Sequence, residues 1–196
     1  MIVGCHIIFG AYGFWLPYDP RGSWWEFVGS LELLQYGPAT KTTEKKSLAY
    51  REHDRASRLS AKTALKYPPV QFDGLQARAV ARGFANYFER TSMSVWSCAI
   101  LPDHVHMVIG KPALPVEQLV IQLKGKATEQ LVREGLHPMA RYAHQESRAP
   151  KCWVRGQWKV YLDPPDIPRA IRYVQENPVK AGLRKQEWSF VVPFSG

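Results

Sequence analysis

"MSVWSCAILPDHVHMVIG", Met93 to Gly110, decides the fold. Residues 93–101 and 104–109 are two apolar runs rich in strand-forming residues, separated only by Pro102-Asp103. That pattern predicts two strands joined by a tight connection, and so close a pair must run antiparallel. The second run also carries His104 and His106, one residue apart. A strand that only fills a core has no use for two imidazoles on one side. Residues i and i+2 of a strand share a face, which sets the two rings side by side, roughly 6–7 Å apart along the chain. Val105 and Asp103 fall on the opposite face, so Asp103 suits the turn better than a ligand role. Two neutral imidazoles placed this way can share one metal ion. Two histidines on an exposed strand face are the ordinary alternative, and two ligands leave a metal underfilled, so a third must come from elsewhere.

Reading outward, residues 2–11, "IVGCHIIFGA", are apolar nearly throughout and predict a strand buried on both faces. Residues 17–69 interrupt the pattern with a Gly-, Pro- and Trp-rich loop and a basic segment of weak periodicity closed by Pro68-Pro69; we treat them as an insertion within one domain spanning 1–196. Asp73 opens a helix with a capping box to Gln76, and Val80, Phe84, Tyr87 and Phe88 form its apolar stripe. A second helix covers 115–134, with Val116, Leu119, Val120, Leu123 and Ala127 as its stripe and Gly135 as its stop. Residues 152–162 are strand-like but broken by Gly156. A third helix is expected over 167–177, capped by Asp166 and ended by Pro178. The economical arrangement is α+β: a ferredoxin-like antiparallel sheet with helices on one face, plus the basic insertion and a C-terminal helix.

The net charge is +9, and it is unevenly placed. Residues 41–66 carry eight basic and three acidic groups, residues 124–196 thirteen and seven, and residues 67–123 balance. Two basic blocks suit a polyanionic partner, most simply nucleic acid. No apolar stretch is long enough to span a membrane, so no membrane partner is expected. The N-terminus lacks the features of a signal peptide, and Cys5, Cys98 and Cys152 are scattered, forming no metal or disulfide pattern; a reducing, cytoplasmic setting is expected.

In the third helix Tyr173 and Asn177 are four residues apart and share a face, whereas Ile167, Ile171 and Val174 mark the side that packs down. "PDHVHMVI" followed about 65 residues later by "IRYVQENPVKAGL" resembles the single-tyrosine HUH transposases, and among them the REP-associated tyrosine transposases. The resemblance covers the first strand and about residues 73–185. It implies the HUH endonuclease fold, with Tyr173 as the nucleophile and His104, His106 and Asn177 as ligands of a divalent cation, Mg²⁺ or Mn²⁺. It also implies single-stranded DNA, a hairpin or palindrome, as substrate, a 5′-phosphotyrosine intermediate, a nucleoid-associated place in the cytoplasm, and action as monomer or homodimer.

Single strands are gripped by basic grooves with aromatic faces. Arg21, beside Trp24 and Trp25, and Lys45, Lys46, Arg51 and Arg55 in the insertion are candidates for that grip, with Lys124, Arg155, Lys159 and Arg172 from the second basic block. Trp153, Trp158 and Tyr161 interleave with these, although core packing is the commoner fate of a tryptophan. Among competing readings, two-histidine phosphodiesterases need two His-x-Ser/Thr elements, which are lacking. Rolling-circle initiators normally bring more chain, and relaxases place the tyrosine before the histidines. A non-catalytic DNA or RNA hairpin binder derived from a transposase stays open as the alternative.

Overall fold

The computed structural model describes residues 1–14, 16, 31–36, 54–143 and 148–195. Four strands form one antiparallel sheet: β1 (Gly4–Gly10), β2 (Val95–Ile100), β3 (His104–Gly110) and β4 (Trp158–Leu162), in the order β2-β3-β1-β4. With a helix after β1 and another after β3, this is the ferredoxin-like arrangement expected from sequence.

Register assigns the two faces. Cys5, Ile7 and Phe9 of β1 align with Ile109, Met107 and Val105 of β3, and all six are fully buried. They face α2 (Gly74–Phe88) and α3 (Val116–Arg133), whose apolar stripes complete the main core. The capping box of α2 is present in full: Gln76 N–H donates to the Asp73 carboxylate at 2.8 Å, and the Asp73 N–H donates to the Gln76 amide oxygen at 3.1 Å. Gly135 ends α3 as predicted. It takes φ +68°, and Leu136 N–H reaches back to the Leu131 carbonyl at 2.8 Å. At Gly83 the two helices touch backbone to backbone, because a side chain there would overlap the Lys126 carbonyl and Ala127.

The opposite sheet face carries α4 (Ile167–Lys180), which lies over β2 and β3. Ile167 and Val174 are fully buried against Ala99, Val108 and Leu162, contributing about 1.5–3 kcal/mol each by burial. Two expectations about this helix are corrected. Asp166 occupies the N-cap position but makes no capping bond and instead accepts from Arg169 at 2.8 Å. Pro178 does not end the helix. Proline forfeits its own N–H and crowds the carbonyl four residues earlier, but its fixed φ is helical, and the helix runs on through Lys180 before Gly182 (φ +75°) closes it, with Leu183 N–H bonded to the Pro178 carbonyl at 2.8 Å.

Of the expected insertion over 17–69, the described residues are 31–36, a 3₁₀ turn over Leu31–Tyr36, and 54–69, which include α1 (Arg55–Thr63). Asp54 caps α1 by accepting from Ser57 N–H at 2.9 Å. Leu16, Leu33 and Ala61 form a small separate cluster. The outer rim of β2 meets the chain beyond α4. The Gln186 side-chain amide accepts from Ile100 N–H and donates to the Ile100 carbonyl, both at 2.8 Å, and Val192 N–H donates to the Val95 carbonyl at 2.8 Å. Cys5, Cys98 and Cys152 are buried free thiols. No described helix is long and apolar enough to cross a membrane.

Candidate active site

His104 and His106 project from β3 on the face covered by α4, with Val105 buried on the other. Their rings converge: the two Nε2 atoms are 2.9 Å apart. Each ring is tied back by its other nitrogen. His104 Nδ1 lies 2.6 Å from the Asp103 carboxylate, so the turn residue orients the first histidine. His106 Nδ1 lies 3.1 Å from Nε2 of His6 on β1. Phe14 stacks on His104 at 4.6 Å, in space that exists because Gly10 opposite His104 has no side chain; a Cβ there would meet the Phe14 ring at 2.5 Å.

Helix α4 brings Tyr173 over this row. Its ring meets His106 edge-on at 5.6 Å and His6 at 5.9 Å, and it remains 40% exposed. Val174, the next residue, is buried, so the packing of α4 fixes the direction of the phenol. Lys180, seven residues on, holds its ammonium 6.0 Å from the Tyr173 ring and pairs with Glu176. Trp158 of β4 meets His6 edge-on at 5.5 Å. The site therefore offers a half-exposed phenol beside nearly closed imidazoles: His6 is 7% exposed and His106 4%. Burial pushes the His6 imidazolium down to about 4, which keeps that ring neutral at neutral pH.

The donor set can be tested against a divalent cation. Two nitrogens at right angles on an octahedral ion, each 2.0–2.1 Å from it, stand about 3 Å apart, close to the spacing of the two Nε2 atoms. A carboxylate behind His104 and a ring nitrogen behind His106 are the outer supports that metal-binding histidines use. Among the described residues no group of three or more His, Cys, Asp or Glu could hold a metal ion, so a third ligand among them would be of another type. Asn177, one helical turn beyond Tyr173, is such a residue. Its amide nitrogen is buried with no hydrogen-bond partner, and a half-turn of the amide would put its oxygen in the same place.

The sequence-derived basic residues scatter. Arg172 is exposed on α4 beside Tyr173, and Arg55 is exposed at the start of α1. Lys159 lies on the other sheet face, where it pairs with Glu117 of α3 at 2.6 Å. Lys124 is not on an open basic surface. It donates to the Val154 and Gly156 carbonyls, both at 2.8 Å, and burial pushes its pKa down to about 7. It anchors the segment on which Arg155 is exposed. Arg21, Lys45, Lys46, Arg51, Trp24 and Trp25 lie outside the described residues. Trp153 is core, packed on Phe9 and Phe72 with its indole N–H on Thr128. His6 was not legible as a site residue: inside an apolar strand 100 residues from His106, its only signal is that it is a polar residue in a run with no need of one.

No protein-family model and no curated protein matches the chain. Among solved structures it is similar to a REP-associated tyrosine transposase bound to a REP hairpin, with 13% identity over 96% of this chain and 74% of that one and a TM-score of 0.47. It is also similar to a putative transposase from Deinococcus radiodurans R1, with 11% identity over 90% of this chain and 91% of that one and a TM-score of 0.38.

Proposed function

We propose that this protein cuts and rejoins single-stranded DNA at hairpin or palindromic sequences, with Tyr173 as the nucleophile and a divalent cation at His104, His106 and Asn177. The observation that carries the reading is convergence: the one tyrosine on α4 stands edge-on to the paired imidazoles of β3. His106 and Tyr173, from motifs far apart in the sequence, meet at one point of the fold.

A free tyrosine hydroxyl has a pKa near 10 and is a weak nucleophile at neutral pH. A divalent cation, Mg²⁺ or Mn²⁺, held by the two Nε2 atoms and the Asn177 oxygen would lend positive charge to the scissile phosphate. Asp103 and His6 hold the two imidazoles in place. Val174 and Ile167 hold α4 on the sheet, which keeps the phenol aimed at the same point. In the step itself the Tyr173 oxygen bonds to phosphorus and the bond from phosphorus to the 3′ oxygen breaks. The phenol gives up its proton and the departing 3′ oxygen takes one, leaving a 5′-phosphotyrosine and a free 3′-OH. Attack by another 3′-OH reverses the step and releases Tyr173, so rejoining needs no nucleotide cofactor.

The test is incubation with a labelled single-stranded hairpin library and Mn²⁺, followed by a denaturing gel. Wild type should form a covalent protein–DNA band. Tyr173→Phe should form none while still shifting the probe on a native gel. A denaturant-resistant band from the phenylalanine variant would assign the chemistry to another residue, and no band from wild type would favour the non-catalytic hairpin binder. His106→Ala should lose the band together with Mn²⁺ binding measured by calorimetry, and equal Mn²⁺ binding by wild type and variant would remove the metal from the proposal.

A further inference from the structure

The row Asp103–His104–His106–His6 has a property that none of its members has alone. Each contact in it can hold a single proton. Asp103 as a carboxylate only accepts, so His104 carries its proton on Nδ1 and, when neutral, offers a lone pair at Nε2. The contact between the two Nε2 atoms at 2.9 Å then needs a proton on His106 Nε2. That leaves His106 Nδ1 as an acceptor, and His6 Nε2 must donate across the 3.1 Å contact. This is the metal-free arrangement. A cation between the two Nε2 atoms requires lone pairs on both. His106 must then carry its proton on Nδ1 and donate to His6 Nε2, and His6 must shift its own proton to Nδ1. No proton is gained or lost; two rings exchange tautomers.

We infer that His6 is a positioning residue of this site: it can donate to His106 Nδ1 in one arrangement and accept from it in the other, so His106 can offer its Nε2 lone pair to a cation without leaving a buried N–H unpaired. The inference rests on the metal reading proposed above for the loaded state, but the metal-free tautomer stands independently of it. Geometry fits His6 to the role. It stacks on His106 at 5.3 Å with the planes 25° apart, and Trp158 and Tyr173 flank it edge-on, so the ring has little room to swing away. It is the partner that can both donate to and accept from His106 Nδ1 without being rebuilt, which a carboxylate or a carbonyl in its place could not.

His6→Phe keeps the ring and its stack while removing both nitrogens; His6→Gln restores one group that can donate or accept. Two measurements separate packing from proton control. Nitrogen-15 shifts of the imidazoles in the metal-free protein should place the protons of both His106 and His6 on Nε2 in wild type, with His106 unchanged in His6→Phe because His104 still fixes it. Calorimetry with Mn²⁺ should show affinity weakened about 10–100-fold in His6→Phe and partly recovered in His6→Gln, the range expected for loss of an outer support. A His6 proton on Nδ1 in the metal-free wild type, or Mn²⁺ affinity of a folded His6→Phe within about twofold of wild type, would overturn the role of His6. Should wild type bind no Mn²⁺, the metal proposal fails, and the nitrogen-15 comparison still decides what His6 does. If His6→Phe does not fold, as judged by its amide spectrum, His6→Met takes its place beside His6→Gln: equal Mn²⁺ affinity in the two would overturn the inference, and weaker affinity in His6→Met would uphold it.

Discussion

Two glycine-to-alanine changes in adjacent helices should have opposite signs. In α2, a Cβ built on Gly83 lies 2.5 Å from the Lys126 carbonyl oxygen, 2.7 Å from Ala127 Cα and 2.8 Å from Ala127 N. All three are backbone atoms of α3, so no rotamer change relieves them. Carbon and oxygen sit comfortably at about 3.5 Å, so the helices must separate by most of an ångström at this crossing. Overpacking of that kind costs about 1–3 kcal/mol, against about 0.5–1 kcal/mol gained from replacing glycine inside a helix. With three backbone contacts below 3.0 Å the cost falls in the upper part of that range, about 2–3 kcal/mol, so net destabilisation should be about 1–2.5 kcal/mol, or roughly 2–10 °C in Tm for a chain of this size. In α3, nothing lies within 4 Å of a Cβ on Gly125, so only the propensity gain applies and Tm should rise by about 1–4 °C. Thermal unfolding followed by circular dichroism measures both. Because α2 and α3 lie on the sheet face away from the histidines, Mn²⁺ binding well below Tm should not change in either variant. A Gly83→Ala protein as stable as wild type would refute the close crossing, and with it the account of how α2 and α3 pack.

Single-stranded DNA affinity should fall steeply with salt, with a log–log slope of about −0.7 per neutralised phosphate. Changing Arg55, Arg58 and Lys62 of α1 to glutamine together should flatten that slope by up to about 2; an unchanged slope would remove α1 from the binding surface. Acid should weaken the tie between α2 and α3. Arg82 and Gln130 donate to Glu134 and hold its carboxyl down at about 2. Its folded pKa lies below the unfolded value near 4, so the tie stabilises fully above pH 4 or so and its contribution is lost as pH falls toward 2. Urea midpoints of wild type and Glu134→Gln should therefore differ at pH 7 and converge near pH 2, and a gap that persists at pH 2 would contradict this.

Much of the architecture was legible because its signals are local. Asp73 and Gln76 announce a helix start by an exchange of bonds three residues apart, and Gly135 a helix end by a backbone angle. Alternation in "HVHMVI" put both histidines on one face, where the structure has them. What stayed hidden depends on partners far along the chain. Pro178 is a good stop signal on average, but buried Val174 and the turn closed at Gly182 carry α4 past it. Lys124 reads as surface charge until the fold brings the Val154 and Gly156 carbonyls to it. His6 reads as an oddity in a core strand until β1 and β3 align. In each case burial or a long-range bond outweighed the local propensity.

The amide of Gln186 gives the rim of β2 a further consequence. An edge strand exposes unpaired donors and acceptors that a strand from any other molecule can adopt, which makes such rims points of unwanted growth. At Ile100 that vacancy is filled by a side chain that presents one acceptor and one donor, as a neighbouring strand would, yet cannot be lengthened. Five residues earlier Val192 answers Val95 by its backbone. The sheet is thereby finished on the β2 side by its own chain, and a second copy approaching that rim finds its hydrogen bonds already answered at both positions.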